Sequence, residues 1–123
     1  MAGYGRTWEA WDVPGFLDLF SDDVVYVAHP TEETVVGRAA LERYVRKEAA
    51  EQGDVRVTMG SALVEGDRVV AEFWVTASTA AGESGTIIGC LIAQLEADGR
   101  ASRFREYWFD VEGHHGPFAG WGS

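Results

Sequence analysis

From Val55 to Val111 the chain is a succession of strand-like segments broken by three short turns, and any fold must accommodate them. Val55, Val57, Met59, Ser61 and Leu63 alternate with Arg56, Thr58 and Gly60, the period of a strand with one buried face. Glu65-Gly66-Asp67, Ala80-Ala81-Gly82-Glu83 and Ala97-Asp98-Gly99-Arg100 have turn composition and spacing, so successive strands should join as antiparallel hairpins. Between the first two turns, Val69, Ala71, Phe73 and Val75 share one face, and Val70, Glu72, Trp74 and Thr76 the other. Residues 86–96 are nearly all apolar, the mark of a central strand covered on both sides.

The last strand, Arg103 to Val111, carries the candidate chemistry. Phe104, Glu106 and Trp108 share one face; Arg103, Arg105, Tyr107 and Phe109 share the other. A carboxylate between two aromatics, on a face without basic residues, prefers its proton when removed from water. That suits it to act as a general acid or base near neutral pH. An arginine from a neighbouring element would instead make Glu106 a structural ion-pair partner.

Helices are expected upstream. Tyr4, Trp8 and Trp11 fall on one stripe of a short helix over 3–11, to pack the core or wall a pocket. Asp12 is a good N-cap for a second helix with Pro14 in its first turn and Phe16, Leu17 and Phe20 buried. Ser21-Asp22-Asp23 should break it, before a strand over Val24 to Pro30 and a loop over Thr31 to Val36. On that strand Tyr26 and Ala28 share one face, Val27 and His29 the other. His29 is either a catalytic base or a residue bonding the loop backbone. A third helix should run from Gly37 to about Gln52. Ala40, Leu41, Tyr44, Val45 and Ala49 form its inner stripe, Arg38, Glu42, Arg46, Lys47 and Glu51 its wet face, and Gly53 its C-terminal cap. The order gives an α+β fold. Residues 1–123 read as a single domain with a Gly-rich tail over 113–123, whose Phe118 and Trp121 should dock on the domain or on a partner subunit.

Composition removes several functions. With 20 acidic against 10 basic residues and a net charge of −10, the chain lacks the basic footprint of nucleic-acid or anionic-membrane binding. A single cysteine, Cys90, excludes an intramolecular disulfide and a Cys-rich metal site. His114, His115 and Glu112 are a poor metal set, because adjacent histidines in a Gly-rich tail point apart. Gly82, Gly85 and Gly89 lack the strand–helix context and lysine of a phosphate loop, so no cofactor is expected. No apolar run reaches membrane-spanning length and no signal pattern opens the chain, which implies a soluble cytoplasmic protein.

The residues resemble a known family in Leu19-Phe20-Ser21-Asp22-Asp23-Val24-Val25-Tyr26, then His29-Pro30, then Gly37-Arg38 before the third helix. The last match is Asp98-Gly99-Arg100 followed by Arg105-Glu106-Tyr107-Trp108. In order and spacing these are similar to the NTF2-like superfamily, specifically its SnoaL-like branch, over residues 3–111. The resemblance implies a cone-shaped, curved, mixed but mainly antiparallel sheet, with three N-terminal helices enclosing a pocket, and usually a homodimer packed through the sheet. Ketosteroid isomerases are relatives. Aligned on them, Leu91 stands where they resemble one another in an oxyanion-hole Asp, and Ala28 or, with one slip, His29 at their catalytic Asp. Tyr4 falls near their oxyanion-hole Tyr. Steroid isomerisation is therefore disfavoured. The Asp-Arg-Asp arrangement of limonene epoxide hydrolase has no counterpart on inward faces. Glu72 with Arg103 or Arg105 is expected as an outer cross-strand ion pair worth ~0.2–1 kcal/mol.

Two functions fit. One is a cofactor-independent enzyme acting on a small apolar or aromatic molecule by isomerisation, cyclisation, lyase or hydrolase chemistry. Its pocket would be lined by Tyr4, Trp8, Tyr26, Leu91, Phe104 and Trp108, with Glu106 as acid or base and Tyr26 or His29 orienting the substrate. The other is a ligand-binding or dimeric interaction module on the same scaffold.

Overall fold

The computed structural model describes residues 3–79 and 81–123. Helices α1 (Tyr4–Ala10) and α2 (Val13–Leu17) are followed by strands β1 (Phe20–Val27) and β2 (Val35–Val36) and by helix α3 (Arg38–Glu51). Five strands follow: β3 (Gln52–Met59), β4 (Leu63–Glu65), β5 (Arg68–Thr79), β6 (Ser84–Leu95) and β7 (Ala101–Glu112). All seven form one sheet in the order β2-β1-β7-β6-β5-β3, with β4 also on β5. Among the described strands only β1 and β7 run parallel; the other pairs are antiparallel. The sheet curves around a core in which Phe20, Leu41, Phe73 and Val75 are wholly buried.

Local chemistry explains the boundaries. The Asp12 carboxylate accepts a hydrogen bond from the Gly15 amide at 3.1 Å and caps α2. Phe20 leaves that helix and opens β1, four residues earlier than the expected strand. Ser21-Asp22-Asp23 is a bulge between the Phe20–Ala101 and Val25–Arg103 pairs instead of a break. Arg38 clamps it, donating to the Phe20 carbonyl at 2.7 Å and pairing with Asp22 at 3.0 Å, so Arg38 does not simply face water. The expected loop over 31–36 contains β2, which pairs with β1. Gly37 enters α3 with φ 88° and ψ 152°, a conformation that only glycine adopts readily. Gly53 is not a cap: Gln52 turns extended and Gly53 already pairs with Ser78, because the helix runs directly into β3.

The strand expected from Val55 to Leu63 is split at residues 60–62. The Gly60 amide still reaches the Glu72 carbonyl at 2.8 Å, but the Ser61 amide turns to the Gly122 carbonyl at 2.7 Å. The C-terminal tail thus takes the bonds that would have continued the ladder. It docks on the sheet's outer face, where the Trp74 indole donates to the His115 carbonyl at 2.7 Å and packs edge-on against Trp121 at 5.7 Å. Ala80, the first residue of the expected second turn, lies outside the described residues; the Thr79 amide closes that hairpin on the Glu83 carbonyl at 2.8 Å.

β6 is central, but only one of its faces is well covered. Leu91 and Ala93 are buried inward, while Ile88, Cys90 and Ile92 are half-buried outward, on the face that the described helices leave uncovered. β6 also separates Glu72 from the last strand: Glu72 stands opposite Cys90, which stands opposite Tyr107. The expected Glu72–Arg103 or Glu72–Arg105 pair does not form.

Candidate active site

Glu106 lies midway along β7 on its inward face and is 5 % exposed. The Tyr4 hydroxyl, carried by the first residue of α1, donates to its Oε1. No ion pair found among the described residues involves Glu106. Burial is the main cause of its altered acidity: desolvation, helped by the Glu32 charge, pushes its pKa up from 4.5 to about 8, against the hydrogen bond from Tyr4 that favours the anion. Burial, then the Glu106 charge, drives the pKa values of Tyr4 and Tyr26 well up, so both hydroxyls stay protonated donors.

Beside the carboxyl is a cavity of about 130 Å³. Tyr4, Trp8 and Trp11 of the first stripe all line it, with Phe16 from α2, Tyr26 and Ala28 from the first strand and its end, Tyr44, Val45 and Glu48 from α3, and Trp108. The Trp108 indole is fixed by donating to the Ala28 carbonyl at 2.6 Å. Gly89 stands opposite Trp108 because a Cβ there would meet the Tyr107 carbonyl oxygen at 2.2 Å and Trp108 Cβ at 2.5 Å.

Tyr4, Trp8, Tyr26, Glu106 and Trp108 therefore meet at one cavity. Three other expected site residues do not line it. His29 follows the strand's end. Its Nδ1 is 2.7 Å from the Thr31 hydroxyl and its ring packs on the outside of Trp108's wall at 4.6 Å, so Ala28 is the inward residue. Leu91 lines a separate, more open groove of about 710 Å³ beneath α1. Phe104 is core, stacked on Tyr26 at 5.0 Å and 2 % exposed. Glu32, Glu48 and Gln52 were missed. Glu48 follows Tyr44 by four residues and so shares its helical face, which was a usable signal. Glu32 had none, since the turn after β1 brings it over the cavity. Among the described residues no group of three His, Cys, Asp or Glu is arranged to hold a metal, and no helix is long and apolar enough to cross a membrane.

A curved sheet closed by helices around a buried carboxyl and an aromatic cavity defines a class: the cone-shaped NTF2-like fold. The chain belongs to the SnoaL-like domain family, which it matches over residues 2–104. Among solved structures it is similar to RV0760c from Mycobacterium tuberculosis at 19% identity and TM-score 0.79, over 90% of this chain and 91% of that one. That protein has also been solved in complex with estradiol-17beta-hemisuccinate. A second likeness is to the epoxide hydrolase/cyclase-like enzyme SalBIII of salinomycin pyran ring formation, at 18% identity and TM-score 0.77, over 88% and 86% of the two chains. A third is to a hypothetical protein with a ketosteroid isomerase-like fold from Catenulispora acidiphila in complex with trimethylamine, at 20% identity and TM-score 0.76, over 85% and 81%. These likenesses show the fold. No protein of curated function matches the sequence.

Proposed function

We propose that the chain is a cofactor-independent enzyme that moves a proton on a small, mostly apolar substrate, with Glu106 as the acid or base. The observation that carries this is a buried, cation-free carboxyl bonded to Tyr4 at the edge of an aromatic cavity. A pKa of about 8 leaves both protonation states accessible near neutral pH, the condition for proton shuttling. Tyr4 holds the carboxyl, and of the two residues offered for orienting the substrate, Tyr26 lines the cavity and His29 does not. On the resemblance to ketosteroid isomerases, Leu91 and the inward Ala28 fall where those enzymes use Asp, which disfavours steroid isomerisation. Similar proteins that hold a steroid conjugate or trimethylamine support a small-molecule cavity. They equally favour a second reading, ligand binding without turnover.

The reading includes a homodimer formed through the outer sheet face, where Tyr107 and Phe109 are 46% and 59% exposed. Its setting is the cytoplasm, where the single thiol of Cys90 stays reduced.

Ring opening of 5-nitrobenzisoxazole tests the catalytic claim, because it needs only a base that removes a carbon-bound proton inside an apolar site. The wild-type rate should rise with pH through about 8. Glu106→Gln should lower it by about 10² or more. Equal rates in the two proteins would remove Glu106 from catalysis and leave the binding reading.

A further inference from the structure

The cavity wall combines aromatic faces with three carboxyls, Glu32, Glu48 and Glu106, and among the described residues no lysine, arginine or histidine lines it. They form a gradient of depth: Glu32 is exposed, Glu48 half-buried and Glu106 buried. Outside the lining, Arg46 pairs with Glu42 at 2.9 Å and Arg38 with Asp22 at 3.0 Å, while Lys47, next along α3, favours the Glu48 anion against the burial that raises its pKa. Half-buried Trp11 and Tyr44 line the same space as the outer two carboxyls, and both of those carboxyls act electrostatically on Tyr44. Trp11 Nε1 and Gln52 Oε1, also on this wall, are buried without a hydrogen-bond partner. Outer carboxyls facing a space whose described lining carries no cation favour a positive occupant, and aromatic faces attract cations, quaternary ammonium groups above all.

We propose that the cavity takes an amphipathic cation, an amine or quaternary ammonium whose charged group sits at Glu32 and Glu48 against Trp11 and Tyr44, while its apolar part reaches Glu106. The inference rests on the reading of this cavity as the substrate site and names the substrate class. The outer carboxyls fix the charged end, and the reacting end lies against the buried carboxyl.

Choline and its carbon isostere 3,3-dimethylbutan-1-ol have nearly the same shape and differ in charge. Titrating each into the full chain by tryptophan fluorescence and calorimetry, at low ionic strength, isolates the charge. Choline should bind at least about ten-fold tighter than the alcohol. Glu32→Gln/Glu48→Gln should lose that preference while its affinity for the alcohol changes by less than about three-fold. Alcohol binding equal to or tighter than choline overturns the cationic class and leaves the cavity reading standing. Binding of neither overturns both. A preference kept by the double variant overturns the placement of the charged end.

Discussion

Glu106→Gln should stabilise the fold at alkaline pH, and the size follows from where the carboxyl sits. Its pKa moves from 4.5 to about 8 on folding, chiefly through desolvation. Each unit corresponds to about 1.4 kcal/mol, so ionising the folded group costs up to about 5 kcal/mol more than ionising it in the unfolded chain. Between those two values the folded state holds a proton that the unfolded state has released, so stability falls as pH rises. Glutamine keeps an oxygen for the Tyr4 hydroxyl and never ionises. The stability difference between variant and wild type should therefore be constant below pH 4.5, grow by about 1.4 kcal/mol per pH unit, and level off above about 8. At pH 9 the variant should melt up to about 20 °C above wild type, relative to their difference at pH 4.5. Thermal and urea unfolding followed by circular dichroism at several pH values and constant ionic strength measures this. The general repulsion of a chain with net charge −10 is nearly common to both proteins and largely cancels in the difference. A difference that is flat with pH, or a variant less stable at pH 9, would refute the reasoning, since the fold would then be holding Glu106 as an anion.

Tyr4→Phe removes a donor that favours the ionised carboxyl, so the midpoint of the benzisoxazole pH–rate profile should move upward by about one unit. An unchanged or lowered midpoint would mean that the Tyr4 hydroxyl does not stabilise the anion. Phe109→Arg places a charge at the centre of the exposed outer face and should convert a dimer to a monomer in sedimentation velocity, with an unchanged melting profile at low concentration. A wild-type chain that already sediments as a monomer would refute the dimer.

Much of this fold is written in period-two alternation, because a strand declares its faces residue by residue. The inward set Phe104, Glu106 and Trp108 could be assigned without coordinates for that reason, as could the hairpin order of β5 to β7. What alternation does not encode is contact between distant segments. Gly60 lies in an unbroken alternating run, and only the arrival of Gly122 ends the strand there. Ser21-Asp22-Asp23 reads as a breaker, yet Arg38 holds it as a bulge inside β1. Leu91 was assigned to the pocket from its alignment position, and it does face inward beside Glu106. The cavity lies on one side of Tyr4, however, and Leu91 on the other, and that division depends on where α1 seats.

Register is what makes Glu106 chemically unusual. A one-residue slip of β7 would carry Glu106 to the outer face and bring Arg105 and Tyr107 inside. An inward arginine would pair with carboxyls such as Glu48 and hold their pKa down, ending both the raised acidity and the cation-free cavity. Three contacts oppose that slip. Parallel pairing sets Tyr26 beside Phe104 and Val27 beside Arg105. Antiparallel pairing sets Leu91 beside Glu106. Gly89 admits the close approach of Tyr107 and Trp108 at a point where any Cβ would collide with backbone. The last of these involves a residue without a side chain. Glycine at position 89 thus helps to keep the arginines of β7 in water and its glutamate out of it.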